Sequence, residues 1–140
     1  VGLSQLQKLP EFIKIRQDNF EYLKINLLKF SKDLILPTAT SNSSPSWFGF
    51  PILVTQDSSF SKNDLVSFLS SKLIDTRPLF AGNLTKQPYL KNKDYKISGT
   101  LDNTNLIMNN GFWIGVFPGL SKSMLDYIIL QFKLFFESFF

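Results

Sequence analysis

The sequence contains neither cysteine nor histidine among its 140 residues. Without cysteine, these residues can form no disulfide, no zinc finger and no thiolate ligation of an iron–sulfur cluster. Without histidine, they can form no Ser-His-Asp triad, no Cys-His dyad and no histidine-ligated metal site. The two absences exclude the commonest hydrolytic and metal-dependent chemistries from residues of this chain acting alone.

Arginine is also scarce, because Arg16 and Arg77 are the only two. The formal net charge of +4 and the sequence pI near 9.3 come almost entirely from lysines that are scattered one at a time. Scattered lysines are typical of a solvated surface rather than of a stripe that follows a phosphate backbone. We therefore predict no nucleic-acid partner.

No catalytic constellation is present. Five of the aspartates are isolated from one another and fit helix caps and turns: Asp57, Asp64, Asp75, Asp94 and Asp102. Glycines 111, 115 and 119 lie in and beside a predicted strand, which is the wrong context for a phosphate-binding loop. The sequence predicts no catalytic, cofactor-binding or metal-binding residue in this segment.

Targeting and membrane signals are missing as well. The start, Val1-Gly2-Leu3, lacks the basic and long apolar regions of a signal peptide. The apolar stretch Met124–Phe140 is short and is interrupted by three charges, so it does not fit a membrane span. We expect a cytoplasmic location and no membrane partner.

The apolar residues that are present suit one globular domain. Hydrophobic residues make up 44% of the chain, and phenylalanine alone contributes 15 residues. Many of these phenylalanines fall outside any single amphipathic face. We expect some of them, including Phe135, Phe136, Phe139 and Phe140, to be covered by a partner that is not part of this chain.

The N-terminal third predicts a long helix. Apolar residues recur there at steps of three and four, and Arg16 takes the one polar position in this series. The apolar residues are Leu6, Leu9, Ile13, Phe20, Leu23, Leu27 and Phe30. Pro10 predicts that the main helix begins near that residue, after a shorter turn. We interpret residues 1–36 as a connecting helix and 38–46 as a polar linker.

The remaining residues, 46–140, predict an α+β layer. Residues 47–55 and 112–117 are rich in aromatic and β-branched residues and predict strands. Ser61 with Asp64 predicts the capped start of a helix over 62–71, and Ser121 predicts the start of the last helix. A short helix over 106–109 is predicted to be capped within Asn103–Asn105. This order predicts an α+β fold with helices on a short sheet.

An irregular stretch, Ile74–Tyr89, separates these elements and is the best candidate for function, since binding residues concentrate in such loops. Arg77 is its leading residue because a guanidinium matches the geometry of carboxylate or phosphate. The alternative is a structural ion pair with Asp75 or a helix C-terminus. The alternative for Asn83 is that it holds a left-handed turn after Gly82, and the alternative for Gln87 is that it only precedes a proline-stiffened turn.

Five stretches together resemble the C-terminal region of CDP-4-keto-6-deoxyglucose 3-dehydrases, which belong to the DegT/StrS-type sugar aminotransferase superfamily and build lipopolysaccharide sugars. They are Gln5–Phe12 with Arg16 and Asn19-Phe20; Ser46–Pro51; Thr76–Tyr89; Asn103-Thr104 with Ile107–Asn109; and Phe112–Leu120. In ordinary sugar aminotransferases of this kind a histidine usually precedes the Gln-Pro pair. Here Gly82-Asn83 stand in that region, which favours the dehydrase branch.

The resemblance implies the C-terminal small domain of a fold type I pyridoxal phosphate enzyme, over residues 1–140. The pyridoxal or pyridoxamine phosphate, and any iron–sulfur cluster, would be held by a large domain outside this chain. The implied reaction is removal of the C3 hydroxyl from a nucleotide-linked 4-keto-6-deoxyhexose, by a homodimer that works with a reductase. A sugar aminotransferase and a non-enzymatic interaction module remain the alternatives.

By the same resemblance, this domain would cover the substrate side of the cleft. Arg77, Asn83 and Gln87 would face the sugar or the diphosphate, and Trp47 and Phe80 would form an apolar wall.

Overall fold

The computed structural model describes residues 2–139, which fold into helices packed on a small antiparallel sheet. The helices are α1 (Gly2–Leu6), α2 (Leu9–Leu27), α3 (Lys62–Ser71), α4 (Asp102–Asn110) and α5 (Lys122–Glu137). The strands are β1 (Leu34–Ile35), β2 (Gly49–Val54), β3 (Thr76–Pro78) and β4 (Gly111–Gly115). Single 3-10 turns lie at Leu28–Phe30, Leu84–Lys86 and Pro88–Leu90. Val1 and Phe140, the ends of the predicted domain, lie outside the described residues.

The sheet has the strand order β1-β2-β4-β3, and every pair is antiparallel. Its two central strands are β2 and β4, the two aromatic strands that the sequence predicts. Strand β4 pairs with β2 over the full register from Gly49 opposite Gly115 to Leu53 opposite Gly111. The α+β fold with helices on a short sheet is confirmed.

One face of the sheet builds the core. Alternate residues of β2 and β4 point to that face and are at most 1% exposed; they are Phe50, Ile52, Val54, Phe112 and Ile114. Helices α2, α3 and α5 supply the opposing apolar side chains. The inward-facing set is continuous, so the core forms a single cluster.

The C-terminal helix is buried more completely than the sequence suggested. Phe135 and Phe136 are 2% and 5% exposed, and they pack edge-on against Phe60. The expectation that a partner covers these two residues is wrong, because the chain's own core covers them. Phe139 is half-exposed, and Phe140 lies outside the described residues.

The first of the described residues do not pack against the core. The main helix begins at Leu9 with Pro10 in its first turn, as predicted. Its apolar seam is buried only from Phe20 onward, whereas Leu3, Leu6 and Leu9 are exposed. Helix α2 ends at Leu27, and Leu34–Ile35 joins the sheet as an edge strand. A connecting helix over 1–36 is therefore too long, because its last residues pair with β2.

Two of the three predicted helix caps are confirmed. Ser61 and Asp64 form a reciprocal capping box at α3, and the Ser121 hydroxyl accepts the amide of Met124 at α5. The predicted cap of α4 is wrong: the helix begins earlier, at Asp102, and Leu101 at its N-cap makes no side-chain hydrogen bond. None of the helices within residues 2–139 has the length and apolarity that a bilayer crossing requires.

Candidate substrate cleft on the open face of the sheet

The sheet face that points away from the core carries an aromatic cleft of about 260 Å³. Its lining comes from the loop and strand before and within β2, from the segment after β3 and from β4: Trp47, Phe48, Gly49, Pro51, Leu79, Phe80 and Trp113. A second apolar cleft adjoins it and shares Pro51 and Leu79. Both faces of this sheet are therefore apolar, although only one is covered by the helices of the core.

Trp113 forms the floor of the aromatic cleft. Its indole N–H donates to the carbonyl oxygen of Pro78 on β3 at 3.2 Å. On the other side its six-membered ring lies so close to Gly49 of β2 that a Cβ at that glycine would overlap it. The indole therefore lies across the sheet, and the absence of a side chain at Gly49 makes that placement possible.

Two phenyl rings stand beside this floor. The Phe48 ring centroid is 5.1 Å from the Trp113 ring at an angle of 52°, and that of Phe80 is 6.2 Å away at 66°. Phe48 and Phe80 are 66% and 81% exposed, and their own centroids are 6.3 Å apart. Three aromatic rings thus surround an open space instead of filling it.

Trp47 lies at the margin of the cleft and is anchored to the core. Its ring stacks on Phe20 of α2 with centroids 3.9 Å apart and planes 2° from parallel. Arg16 on the same helix donates to the carbonyl oxygens of Trp47 and Phe48, at 3.0 and 3.4 Å. Arg16 therefore positions the wall of the cleft from the helical side.

Arg77 lies on a strand, which corrects the prediction that Ile74–Tyr89 is irregular throughout. Thr76–Pro78 pairs with β4 as an edge strand, and proline is tolerated there because an edge strand has unpaired positions. Arg77 is opposite Trp113 in the register, so the two side chains leave the sheet on the same, open face. Its guanidinium is 3.0 Å from Asp75 Oδ2, and both side chains are largely exposed.

Asn83 is 2% exposed and is bonded within the fold. Its amide nitrogen donates to Asn105 Oδ1 of α4 at 2.8 Å, and its oxygen accepts from the backbone and the hydroxyl of Thr85. The preceding Gly82 has a φ of +69°, and a Cβ there would crowd Met108 of α4. This geometry gives Asn83 a positioning role, since it attaches the segment that carries Phe80 to α4.

Gln87 also braces this segment. Its side-chain nitrogen donates to the carbonyl oxygen of Ala81 at 2.6 Å, and the side chain is half-buried. Of the five residues selected from the sequence, the structure places Trp47 and Phe80 in the aromatic cleft and Arg77 on the same sheet face. Asn83 and Gln87 hold the loop behind it.

Sequence reasoning missed Trp113 and Phe48. The signal was available in the alternation of β4, where Phe112 and Ile114 point to the core and Trp113 must therefore point to the other face. What the sequence did not show is that this other face is left uncovered by the chain's own helices.

The groups with shifted pKa values lie away from the cleft. Hydrogen bonds from Lys122 and Tyr22 lower the pKa of Asp126, and the same cluster raises the pKa of Lys122. Hydrogen bonds from Ser61 lower the pKa of Asp64. These shifts belong to helix caps and to the contact between α2 and α5, so they mark structural rather than chemical sites.

The cleft offers apolar contact, with one cation on the same sheet face. No acidic or basic side chain lines it within residues 2–139, and the indole N–H of Trp113 already has a carbonyl partner. A pyridoxal phosphate needs a cradle of donors for its phosphate and a partner for its ring nitrogen. The residues of this cleft do not fit that cofactor, whereas they suit one side of a site that binds a ring and an anion.

Known proteins match nearly the whole of this chain in sequence. Residues 1–133 match the sequence model of the DegT/DnrJ/EryC1/StrS aminotransferase family. The lipopolysaccharide biosynthesis protein RfbH of Salmonella typhimurium is 49% identical over 135 residues, which are 96% of this chain and 31% of that protein. The dTDP-4-dehydro-2,6-dideoxy-D-glucose 3-dehydratase of Saccharopolyspora spinosa is 40% identical over 92% of this chain and 28% of its own length.

A solved structure shares the fold at significant sequence identity. The Escherichia coli GDP-4-keto-6-deoxy-D-mannose-3-dehydratase with bound hydrated pyridoxal phosphate superposes with a TM-score of 0.81 and 34% identity. The match covers 93% of this chain and 33% of that one. The chain thus spans about a third of the length of the relatives that it matches.

Proposed function

The chain belongs to the DegT/DnrJ/EryC1/StrS aminotransferase family, and from that premise we propose that it is the small domain of a pyridoxal-phosphate-dependent nucleotide-sugar 3-dehydratase. The reaction is removal of the C3 hydroxyl from a nucleotide-linked 4-keto-6-deoxyhexose, in the synthesis of a lipopolysaccharide deoxysugar. The observation that carries this proposal is the 49% and 40% identity to a lipopolysaccharide protein and a named 3-dehydratase over nearly the whole chain.

The cofactor belongs to the rest of the enzyme in this proposal. Pyridoxal or pyridoxamine phosphate supplies the electron sink when it is bound, and the described residues provide no cradle for it. An iron–sulfur cluster, if the parent uses one, also takes its ligands from outside this cysteine-free segment. We propose a cytoplasmic homodimer that works with a reductase, in keeping with the resemblance.

The substrate side is the role that these residues can fill. Arg77 supplies a fork for the diphosphate, and Trp47 and Phe80 exclude water as an apolar wall. Gln87 acts on the same region indirectly, because its side chain holds the segment next to Phe80 through Ala81. Asn83, which is buried, acts on the substrate indirectly by positioning Phe80.

A sugar aminotransferase is the second candidate, favoured by the name of the family whose sequence model matches. The two reactions give different products from one substrate: a 3-dehydratase removes the C3 oxygen, whereas an aminotransferase places an amine at the keto carbon. Mass spectrometry of the product separates them, when the intact enzyme with its cofactor is supplied with an amino-acid donor, a reductant and 4-keto-6-deoxyhexoses linked to GDP, dTDP or CDP. An aminated product that keeps the C3 hydroxyl would overturn the proposal.

The role of Arg77 is tested by Arg77→Lys in the intact enzyme. Lysine keeps the charge but loses the planar fork, so substrate affinity should fall by about ten- to a hundredfold. The melting temperature should not change, because an exposed pair such as Arg77–Asp75 contributes little to stability. A lower melting temperature with normal substrate affinity would make Arg77 a structural residue.

A further inference from the structure

We infer that the aromatic cleft is the subsite for the nucleobase of the nucleotide sugar, with Trp113 as its stacking floor. The inference rests on the proposed function for the kind of ligand, but it assigns to Trp113, Phe48 and Gly49 a role that the proposal above does not contain. It also assigns an order along the sheet, with the base over Trp113 and the diphosphate toward Arg77.

The first argument is the shape of the cleft. Trp113 is half-buried because one face of its indole lies on the sheet, and its other face is left open between Phe48 and Phe80. Contiguous apolar surface that stays exposed in this way is typical of a site that contacts a ligand or a partner. A flat floor with tilted rings beside it suits a flat, polarisable ligand, and bases stack on such rings irrespective of their identity.

The second argument separates a base from a hexose. A hexose carries hydroxyl groups around its ring, and each one that is removed from water needs a hydrogen-bond partner. The side chains that line the cleft offer two N–H donors, the indoles of Trp113 and Trp47, and Pro78 already accepts the one on Trp113. A base can stack with its faces in the cleft while its polar edge remains in water or meets the rest of the enzyme.

The third argument is the position of the cation. Arg77 lies directly opposite Trp113 on the neighbouring strand, so its Cβ and that of Trp113 are about 5 Å apart and point the same way. The diphosphate of a nucleotide is joined to its base through one ribose, which matches a cation placed beside a stacking ring. The pair with Asp75 is exposed and therefore exchanges easily for a phosphate.

Gly49 belongs to the subsite because its lack of a side chain leaves room for the indole of Trp113. Any side chain at that position would overlap the six-membered ring of Trp113 and tilt the indole away from the sheet. The floor can therefore be disturbed without removing any aromatic ring, by Gly49→Ala.

The test uses calorimetric titration of the intact enzyme with GDP, dTDP and CDP, in the absence of any sugar. Trp113→Leu should weaken the binding of at least one of these nucleotides by about ten- to a hundredfold, the loss that removal of a stacked ring typically causes. Trp113→Phe, which keeps an aromatic face, should restore part of the affinity, and Gly49→Ala should weaken it. Phe117→Leu removes a ring that is 64% exposed, two residues beyond the end of β4 and outside the cleft, and should change nothing.

Inorganic pyrophosphate provides a second arm. Its binding should depend on Arg77 but not on Trp113, whereas binding of the nucleosides guanosine, thymidine and cytidine should depend on Trp113 but not on Arg77. The quenching of tryptophan fluorescence on addition of the nucleotide should be smaller in the Trp47→Phe/Trp113→Phe enzyme than in the Trp47→Phe enzyme, since Trp113 is the second of the two tryptophans of this chain.

These outcomes separate the inference from the proposed function. If the enzyme aminates its substrate but Trp113→Leu still weakens nucleotide binding, the function is wrong and the subsite stands. If C3 is deoxygenated and Trp113→Leu leaves nucleotide affinity unchanged, the subsite is wrong and the function stands. If Trp113→Leu and Trp113→Phe lower the melting temperature alike and leave nucleotide binding intact, the cleft is covered by another part of the enzyme, which overturns the inference.

Discussion

The two faces of the sheet are built from alternate residues of the same strands, yet one face is buried and the other is open. Phe50 and Ile52 are at most 1% exposed, because the helices cover the inner face. Pro51 and Leu53 alternate with these core residues along β2, and Trp113 does so along β4; all three point outward and line open clefts. An antiparallel sheet with one solvated face normally alternates apolar with polar residues. An apolar outer face therefore indicates a surface that is made to contact something else, and here its aromatic part is a stacking site.

The difference between the buried and the open face predicts its largest effect on stability at two neighbouring residues of β2. Ile52→Ala removes a fully buried side chain and should lower the free energy of unfolding by about 2–5 kcal/mol. Leu53→Ala, one residue further on and on the open face, should have less than half of that effect. Urea unfolding of the 140-residue chain measures both. Equal losses would mean that the outer face contributes to the core after all.

Asn83 tests whether a residue near the open face serves the fold or the substrate. It lies in the loop beside that face, but its side chain is buried. Asn83→Ala leaves Asn105 and Thr85 without a partner and should destabilise the fold by about 1–3 kcal/mol. Asn92→Ala, at an exposed position, is the matched control and should have no measurable effect. Thermal unfolding decides, and an unchanged melting temperature for Asn83→Ala would assign its amide to the substrate instead.

Arg16 connects the two faces, since it lies on a core helix and holds the backbone of the cleft wall. Arg16→Met keeps the aliphatic length but loses the hydrogen bonds to Trp47 and Phe48, at a cost on the order of 1 kcal/mol. Lys14→Met, which breaks only an exposed ion pair two residues earlier in α2, should cost less. If the nucleotide affinity of the intact enzyme falls for Arg16→Met and not for Lys14→Met, the wall needs this anchor. A fall for neither would mean that Trp47 and Phe48 hold their positions unaided.

The smallest expected effect is a pH dependence at the helical side. The pKa of Asp126 is lowered in the folded state by hydrogen bonds from Lys122 and Tyr22, so its contribution to stability is present above the unfolded value of 3.8 and is lost as the pH falls through the lower folded value. Asp126→Asn should therefore flatten the acid limb of the stability profile slightly. Nucleotide binding at the open face should not follow this change, and a parallel shift of both would contradict the separation of the two faces.

Local sequence signals were sufficient for most of the elements. Ser61 with Asp64 and Ser121 specify where α3 and α5 begin, because each supplies its own capping bond to nearby backbone groups. The aromatic and β-branched runs specify β2 and β4. The motifs along the chain were also sufficient to identify the family, since a resemblance depends on residue order and needs no coordinates.

Only the tertiary structure decided which residues meet. Thr76–Pro78 has too little local preference to form a strand and does so because β4 offers it an edge. Asn83 was predicted to face the sugar or the diphosphate, but it is buried because α4, about twenty residues further along the chain, packs against it. Trp113 and Gly49 lie far apart in sequence, and their close approach depends on the register between β2 and β4. Capping and periodicity act within a few residues and can be read from the sequence, whereas burial and register arise from contacts between distant segments.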